Sequence, residues 1–166
     1  KQWRTTKKVI TSDQTSRYVP PKTVSKEEYL LVDGYNIIFA WPELRELAQI
    51  NLDSARDKLM DILCNYQGYQ GCRLILVYDA YKVKGNPGST MKYHNIEVVY
   101  TKEAETADQY IERTTHQLGA KPQKYRVTVA TSDALEQMII WGNGATRMSA
   151  LGLKAAVEAA GAEYFK

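Results

Sequence analysis

Tyr29-Leu30-Leu31-Val32-Asp33-Gly34 and Arg73-Leu74-Ile75-Leu76-Val77-Tyr78-Asp79 decide the fold. Each is a short apolar run that stops on an aspartate, as a strand buried on both faces does where it feeds a loop. Ile96-Glu97-Val98-Val99-Tyr100 and Arg126-Val127-Thr128-Val129-Ala130 repeat the pattern, the latter ending at Thr131-Ser132-Asp133. Between these runs, Ala55, Leu59, Ile62, Leu63 and Tyr66 stand at helical spacing over residues 53–67, with Asp53 as N-cap. Thr101 opens a stretch that becomes helical through Gln117, and Lys84–Ser89 is a loop by composition. A further helix is expected from Ala134 to Trp141, a short strand near Ala145–Met148, and a last helix from Ser149. Strands alternating with helices predict an α/β three-layer sandwich with a mainly parallel central sheet of about five strands.

The 166 residues suffice for one domain with a buried core, and 44% hydrophobic with 25% charged residues is a soluble globular composition. No apolar stretch approaches the ~18 residues of a membrane span, and the N-terminus is polar and basic, unlike a signal peptide. Cys64 and Cys72 form neither a disulfide framework nor a CxxC pair, so buried free thiols and a cytoplasmic setting are expected. Residues 1–28 hold seven of the 22 cationic and three of the 19 acidic residues, and carry Pro20-Pro21. They read as a basic arm or linker ahead of a near-neutral domain over residues 29–166.

Three strand ends carrying aspartate matter because open α/β sheets bind ligands outside the carboxyl ends of their strands. Asp33, Asp79 and Asp133 are expected on one rim. Glu105, Asp108 and Glu112 fall at i, i+3 and i+7, which would put them on one helical face whose first turn points back to that rim. Such crowding calls for a neutralising cation, and hard oxygen donors suit Mg²⁺ or Mn²⁺. A turn former or helix cap is the plain alternative for any one Asp, and a solvated helix position for Glu112. Receiver domains and haloacid-type phosphatases gather aspartates at the same rim. The latter need a DxD pair where this chain has Asp33-Gly34-Tyr35-Asn36, and the former need an adjacent acidic pair and a late Lys that are not found here.

Leu31-Val32-Asp33-Gly34-Tyr35-Asn36 resembles the opening motif of NYN domains, a branch of the PIN-like nuclease superfamily. Val77-Tyr78-Asp79-Ala80, Thr101-Lys102-Glu103-Ala104-Glu105-Thr106-Ala107-Asp108 and Ala130-Thr131-Ser132-Asp133 continue the match in order. Together they resemble the YacP-like subfamily, over roughly residues 29–160. The resemblance implies a Mg²⁺-dependent endoribonuclease acting on single-stranded RNA in association with the ribosome. It implies Asp33, Asp79, Asp108 and Asp133 as the acidic site, and Asn36 as a polar residue orienting a carboxylate, water or phosphate. For Asn36, a helix cap or turn role stays open. The arm departs from standalone members, and with the missing initial Met it suits a domain fused behind a translational GTPase.

On this reading Asp33 and Asp133 hold the principal ion, Asp108 ligates it directly or through water, and Asp79 completes the shell or orients the attacking water. Glu105 and Ser132 stand behind them. In-line attack would leave 5′-phosphate and 3′-hydroxyl ends. His94 and His116 lie away from the strand-end aspartates and read as structural or surface residues. Tyr81, Lys82, Lys84 and Lys92 around the glycine-rich loop, with Arg56 and Arg147, are the expected RNA contacts, although scattered surface cations are ordinary. Trp41 is placed near the site loop, in packing or base stacking. The alternative is an RNA- or ribosome-binding module of the same fold that does not cut.

Overall fold

Leu31, Val32, Leu76, Val77, Val98 and Val129 are fully shielded from solvent, which a short apolar run achieves only when both faces of its strand are covered. The computed structural model describes residues 26–80, 88–133 and 144–164, with side chains as far as 161. Its strands are β1 (Glu27–Asp33), β2 (Arg73–Tyr78), β3 (Ser89–Tyr93), β4 (Ile96–Tyr100), β5 (Tyr125–Ala130) and β6 (Thr146–Met148). They form one six-stranded sheet in the order β3-β4-β2-β1-β5-β6, parallel throughout except where β3 pairs antiparallel with β4. The helices are α1 (Gly34–Ala40), α2 (Pro42–Ile50), α3 (Leu52–Gln70), α4 (Ala107–Gly119) and α5 (Ala150–Tyr164).

The alternation of β1 divides the core in two. Leu30 and Val32 point into a cluster with Ile37, Leu59, Leu63 and Leu153, on the face covered by α1, α3 and α5. Leu31 points into the opposite cluster with Val77, Val129, Ala107 and Ile111, on the face covered by α4. This is the expected three-layer α/β sandwich, with one strand more than the sequence pattern suggested. Among the described residues no helix is long and apolar enough to cross a membrane. The basic arm, apart from Lys26 and the two glutamates that open β1, lies outside the described residues, as does the helix expected from Ala134 to Trp141. Cys72 is buried, and Cys64 is half-buried with its thiol donating to the Tyr93 carbonyl.

Several elements depart from their sequence reading. Residues 34–50 form two helices where only a loop was legible, because Gly34 opens α1 and Pro42 interrupts the run. Pro42 sits at the start of α2, where its missing N–H costs no hydrogen bond. The N-cap of α3 is Asn51, whose side chain accepts from the Ser54 N–H, and Asp53 falls in the first turn instead. Ser89–Tyr93 closes a hairpin onto β4 through His94-Asn95, with His94 at φ 54°. α4 starts only at Ala107, because Thr106 and Gln109 form a reciprocal capping box at that point.

Gly34 is required by contact, not by backbone conformation. A Cβ there would overlap the Tyr78 ring, and that ring is fully buried, with its hydroxyl donating to the Arg56 carbonyl at 3.3 Å. Gly34→Ala should therefore destabilise the protein by about 1–3 kcal/mol, the cost of overpacking a filled core. Urea unfolding would check this, and an unchanged midpoint would show that Tyr78 can shift.

Candidate active site at the carboxyl edge of the sheet

β1 and β2 are parallel neighbours with Asp33 opposite Val77, so Asp33 and Asp79 leave the sheet side by side. Thr101, which is buried, joins the end of β2 to the end of β4. Its N–H donates to the Tyr78 carbonyl at 3.0 Å and its hydroxyl accepts from the Ala80 N–H at 3.1 Å. The chain then turns into α4, whose first N–H, from Ala107, donates to Asp79 Oδ1 at 2.6 Å. A carboxylate on a helix N-terminus gains from both the N–H group and the helix dipole. Asp79 thus anchors the start of α4 and brings Asp108, the next residue, to the rim.

The other wall comes from β5. Thr131, buried beyond the end of that strand, donates its N–H to the Met148 carbonyl of β6 at 3.1 Å and accepts from the Asp133 N–H at 3.1 Å. Asn36, in the first turn of α1, accepts at Oδ1 from the Ser132 N–H at 2.6 Å and also from the Ser132 hydroxyl. These bonds tie the β1–α1 turn to the segment that carries Asp133. Asp33 stands at the N-cap position of α1, but its carboxylate makes no capping bond, so the plain helix-cap reading does not describe it.

A cleft of about 310 Å³ opens between these segments, lined by Asp33, Asp79, Asp108, Asn36, Ser132 and Tyr35. Asp33 is almost wholly buried, Asp79 and Asp133 are half-buried, and Asp108 is exposed. Asp108 nonetheless has its carboxyl pushed above the usual range, first by the protein around it and then by the charge of Asp133. Asp79 and Glu112 push the same way, against a backbone hydrogen bond that lowers it. Asp133 therefore acts on the same spot from outside the cleft lining. Every acidic donor here is oxygen, the class that hard divalent cations take. Among the described residues no three carboxylate, imidazole or thiol groups are close enough as they stand to hold an ion together. The donor chemistry fits Mg²⁺ or Mn²⁺, and an ion would have to draw the carboxylates inward.

The remaining expected residues divide. Glu105 lies before the Thr106 cap and is not on a helical face with Asp108; its carboxylate pairs with Arg113 at 2.5 Å. Arg56 is buried beneath the cleft, donating to the Tyr35 hydroxyl at 2.9 Å and pairing with Asp53, so it is not a cation presented to solvent. Lys92 is exposed on β3 opposite Glu97, toward the far end of β4 and away from the carboxylates. Arg147 is exposed on β6, one residue short of the rim. Tyr81, Lys82 and Lys84 lie outside the described residues. His94 and His116 sit at the opposite end of the sheet, in the β3–β4 turn and the last turn of α4. Trp41 packs, with its indole N–H donating to the Ala150 carbonyl at 2.8 Å. Tyr35 and Phe39, both lining the cleft, escaped the sequence reading. Their i, i+4 spacing was the available signal, but it has meaning only once residues 34–40 are known to be helical.

The family model of the YacP-like NYN domain matches residues 30–165. The uncharacterized protein YacP of Bacillus subtilis (strain 168) is 45% identical over 131 residues, covering 79% of this chain and 75% of that protein. The crystal structure of Rae1 (YacP) from Bacillus subtilis superposes with a TM-score of 0.70 at 43% identity, covering 82% of this chain and 76% of that one. A mutant form of the same protein also gives 0.70, at 41% identity, covering 82% and 78%.

The raised carboxyl of Asp108 has a sign that can be tested. Because its folded pKa lies above the unfolded value, the folded state binds the proton more tightly, and stability falls as pH rises through that window. Above the window the ionised group is a standing cost. Asp108→Asn should raise the melting temperature slightly at neutral pH in divalent-free buffer. In acid below the ordinary carboxylate range the gain should vanish. Thermal melts of both proteins at the two pH values would decide it, and equal midpoints at neutral pH would show that the crowding is relieved in solution.

Proposed function

From a chain that belongs to the YacP-like NYN family, whose fold is of the PIN-like nuclease type, we propose a metal-dependent endoribonuclease that hydrolyses single-stranded RNA, with mRNA on the ribosome as its setting. The observation that carries this reading is the delivery of Asp33, Asp79 and Asp108 to one cleft by three separate chain segments, with Asp133 acting on Asp108. Turn formation alone would not gather them.

When bound, Mg²⁺ or Mn²⁺ supplies charge relief on the phosphate and lowers the pKa of water. Asp33 and Asp133 would hold it, with Asp108 ligating directly or through water. Asp79 has one oxygen committed to the Ala107 N–H, so its other oxygen is the one that would complete the shell or orient the attacking water. Asn36 has its oxygen committed to Ser132, which leaves its amide N–H groups to steady a carboxylate or a phosphate. In-line attack by the oriented water would give 5′-phosphate and 3′-hydroxyl ends. The open spacing of the carboxylates is the one observation that favours the second reading, an RNA- or ribosome-binding module that does not cut.

Calorimetric titration of Mn²⁺ separates the two without needing the right substrate. Saturable binding is expected for the wild type, at least tenfold weaker for Asp33→Asn, with cleavage of ribosome-bound mRNA falling in parallel. A folded wild type that takes up no Mn²⁺, with or without RNA, would leave the non-cutting module in its place. Products ending in 2′,3′-cyclic phosphate would instead exclude the hydrolytic route.

A further inference from the structure

Phe39 lies one helical turn beyond Tyr35 in α1 and lines the acidic cleft. Its ring is 44% exposed, against 4% for Tyr35. The two rings stack with centroids 6.4 Å apart and planes inclined by 24°. Tyr35 is itself fixed, because its hydroxyl accepts from Arg56 and its ring rests on Tyr78 at 5.0 Å. Tyr78 in turn stacks on Tyr100 at 5.8 Å. Among the described residues these four rings lie in sequence from half-buried Tyr100 through buried Tyr78 and Tyr35 to Phe39, which is the most exposed of them. A guanidinium accompanies it: Arg45, on the surface of α2, donates to the Phe39 carbonyl at 3.5 Å.

A single exposed apolar side chain is ordinary on a protein surface. This one differs in three respects: it is backed by buried rings, it borders carboxylates, and its own main-chain carbonyl holds an exposed guanidinium. An aromatic face next to a guanidinium is the pairing that single-stranded nucleic acid engages, with a base on the ring and a phosphate on the cation. Bases inside a duplex have both faces covered and cannot use it.

We infer that Phe39, supported by Tyr35, stacks an unpaired nucleobase beside the acidic cleft, while Arg45 takes a flanking phosphate. The inference rests on the endoribonuclease reading and deepens it. The strand is gripped at the site by the face of a base and not by its edges, so the subsite tolerates different bases but requires an unpaired one. Holding one base on the ledge fixes where the neighbouring phosphate lies relative to Asp33, Asp79 and Asp108.

The test uses the full chain in EDTA with a short oligoribonucleotide carrying 2-aminopurine, so that binding is read without cleavage. Binding by the wild type should quench the base. Phe39→Ala should weaken binding about tenfold and remove the quench, Phe39→Leu should resemble it, and Phe39→Trp should restore both. Arg45→Gln should lower the slope of log affinity against log salt by about 1. Wild-type affinity with an intact quench in Phe39→Ala would overturn the inference, as would equal affinity for duplex RNA. No binding of the single strand by the wild type would also overturn it and leave the ring as a protein contact. Cleavage in Mn²⁺ separates this result from the parent reading. A quench lost in Phe39→Ala while the wild type takes up no Mn²⁺ and cuts no ribosome-bound mRNA upholds the ledge and removes the nuclease, and cleavage of ribosome-bound mRNA at an unchanged rate in Phe39→Ala with the quench intact does the reverse.

Discussion

Tyr78 closes β2 with its ring under Gly34, its hydroxyl on the Arg56 carbonyl and its carbonyl accepting from the Thr101 N–H. Through these contacts one residue, by ring, hydroxyl and main-chain carbonyl, fixes the turn after β1, the body of α3 and the exit from β4. Those segments carry or support Asp33, Tyr35 and the path to Asp108. The carboxyl edge thus sits on a filled aromatic layer. Interiors at crystal-like density transmit small displacements, so the placement of the acidic groups inherits the precision of that layer.

Electrostatics work against this mechanical order. The carboxyl of Asp108 is pushed up by partial desolvation and by the charges of Asp133 and Asp79, and part of what offsets the crowding locally is helical. Asp79 gains the Ala107 N–H and the positive end of α4. The same helix therefore stabilises one carboxylate and brings up a second that repels it. An arrangement optimised for stability alone would have one or the other. Crowded like charges in a cleft are the arrangement whose repulsion a bound cation would relieve.

The strands were legible because a short apolar run ended by aspartate has few other uses, and the rim followed from parallel topology without any knowledge of side-chain positions. What was not legible depended on tertiary contacts. Gly34-Tyr35-Asn36 reads as a turn, yet it opens a helix because Tyr78 accepts the bare glycine and Ser132 takes up Asn36. Glu105 and Asp108 share a spacing but not a helix, since Thr106 caps between them. Arg56 looked like a phosphate ligand from its charge alone, and its partner, the Tyr35 hydroxyl, is 21 residues away. Phe39 had no signal until α1 existed.

β1 lies between β2 and β5, and the Asn36–Ser132 clasp spans 96 residues. A chain emerging vectorially from its synthesis can pair β1 with β2 early, but the second neighbour of β1 arrives only after most of the domain has been made. Until then one flank of the central strand has no partner, and Asp33 faces no opposite wall. Contacts of such long sequence separation form slowly. The topology thus sets a chronology in which the acidic edge becomes complete only after the scaffold that bears it, and a nascent chain holds its carboxylates apart for most of its elongation.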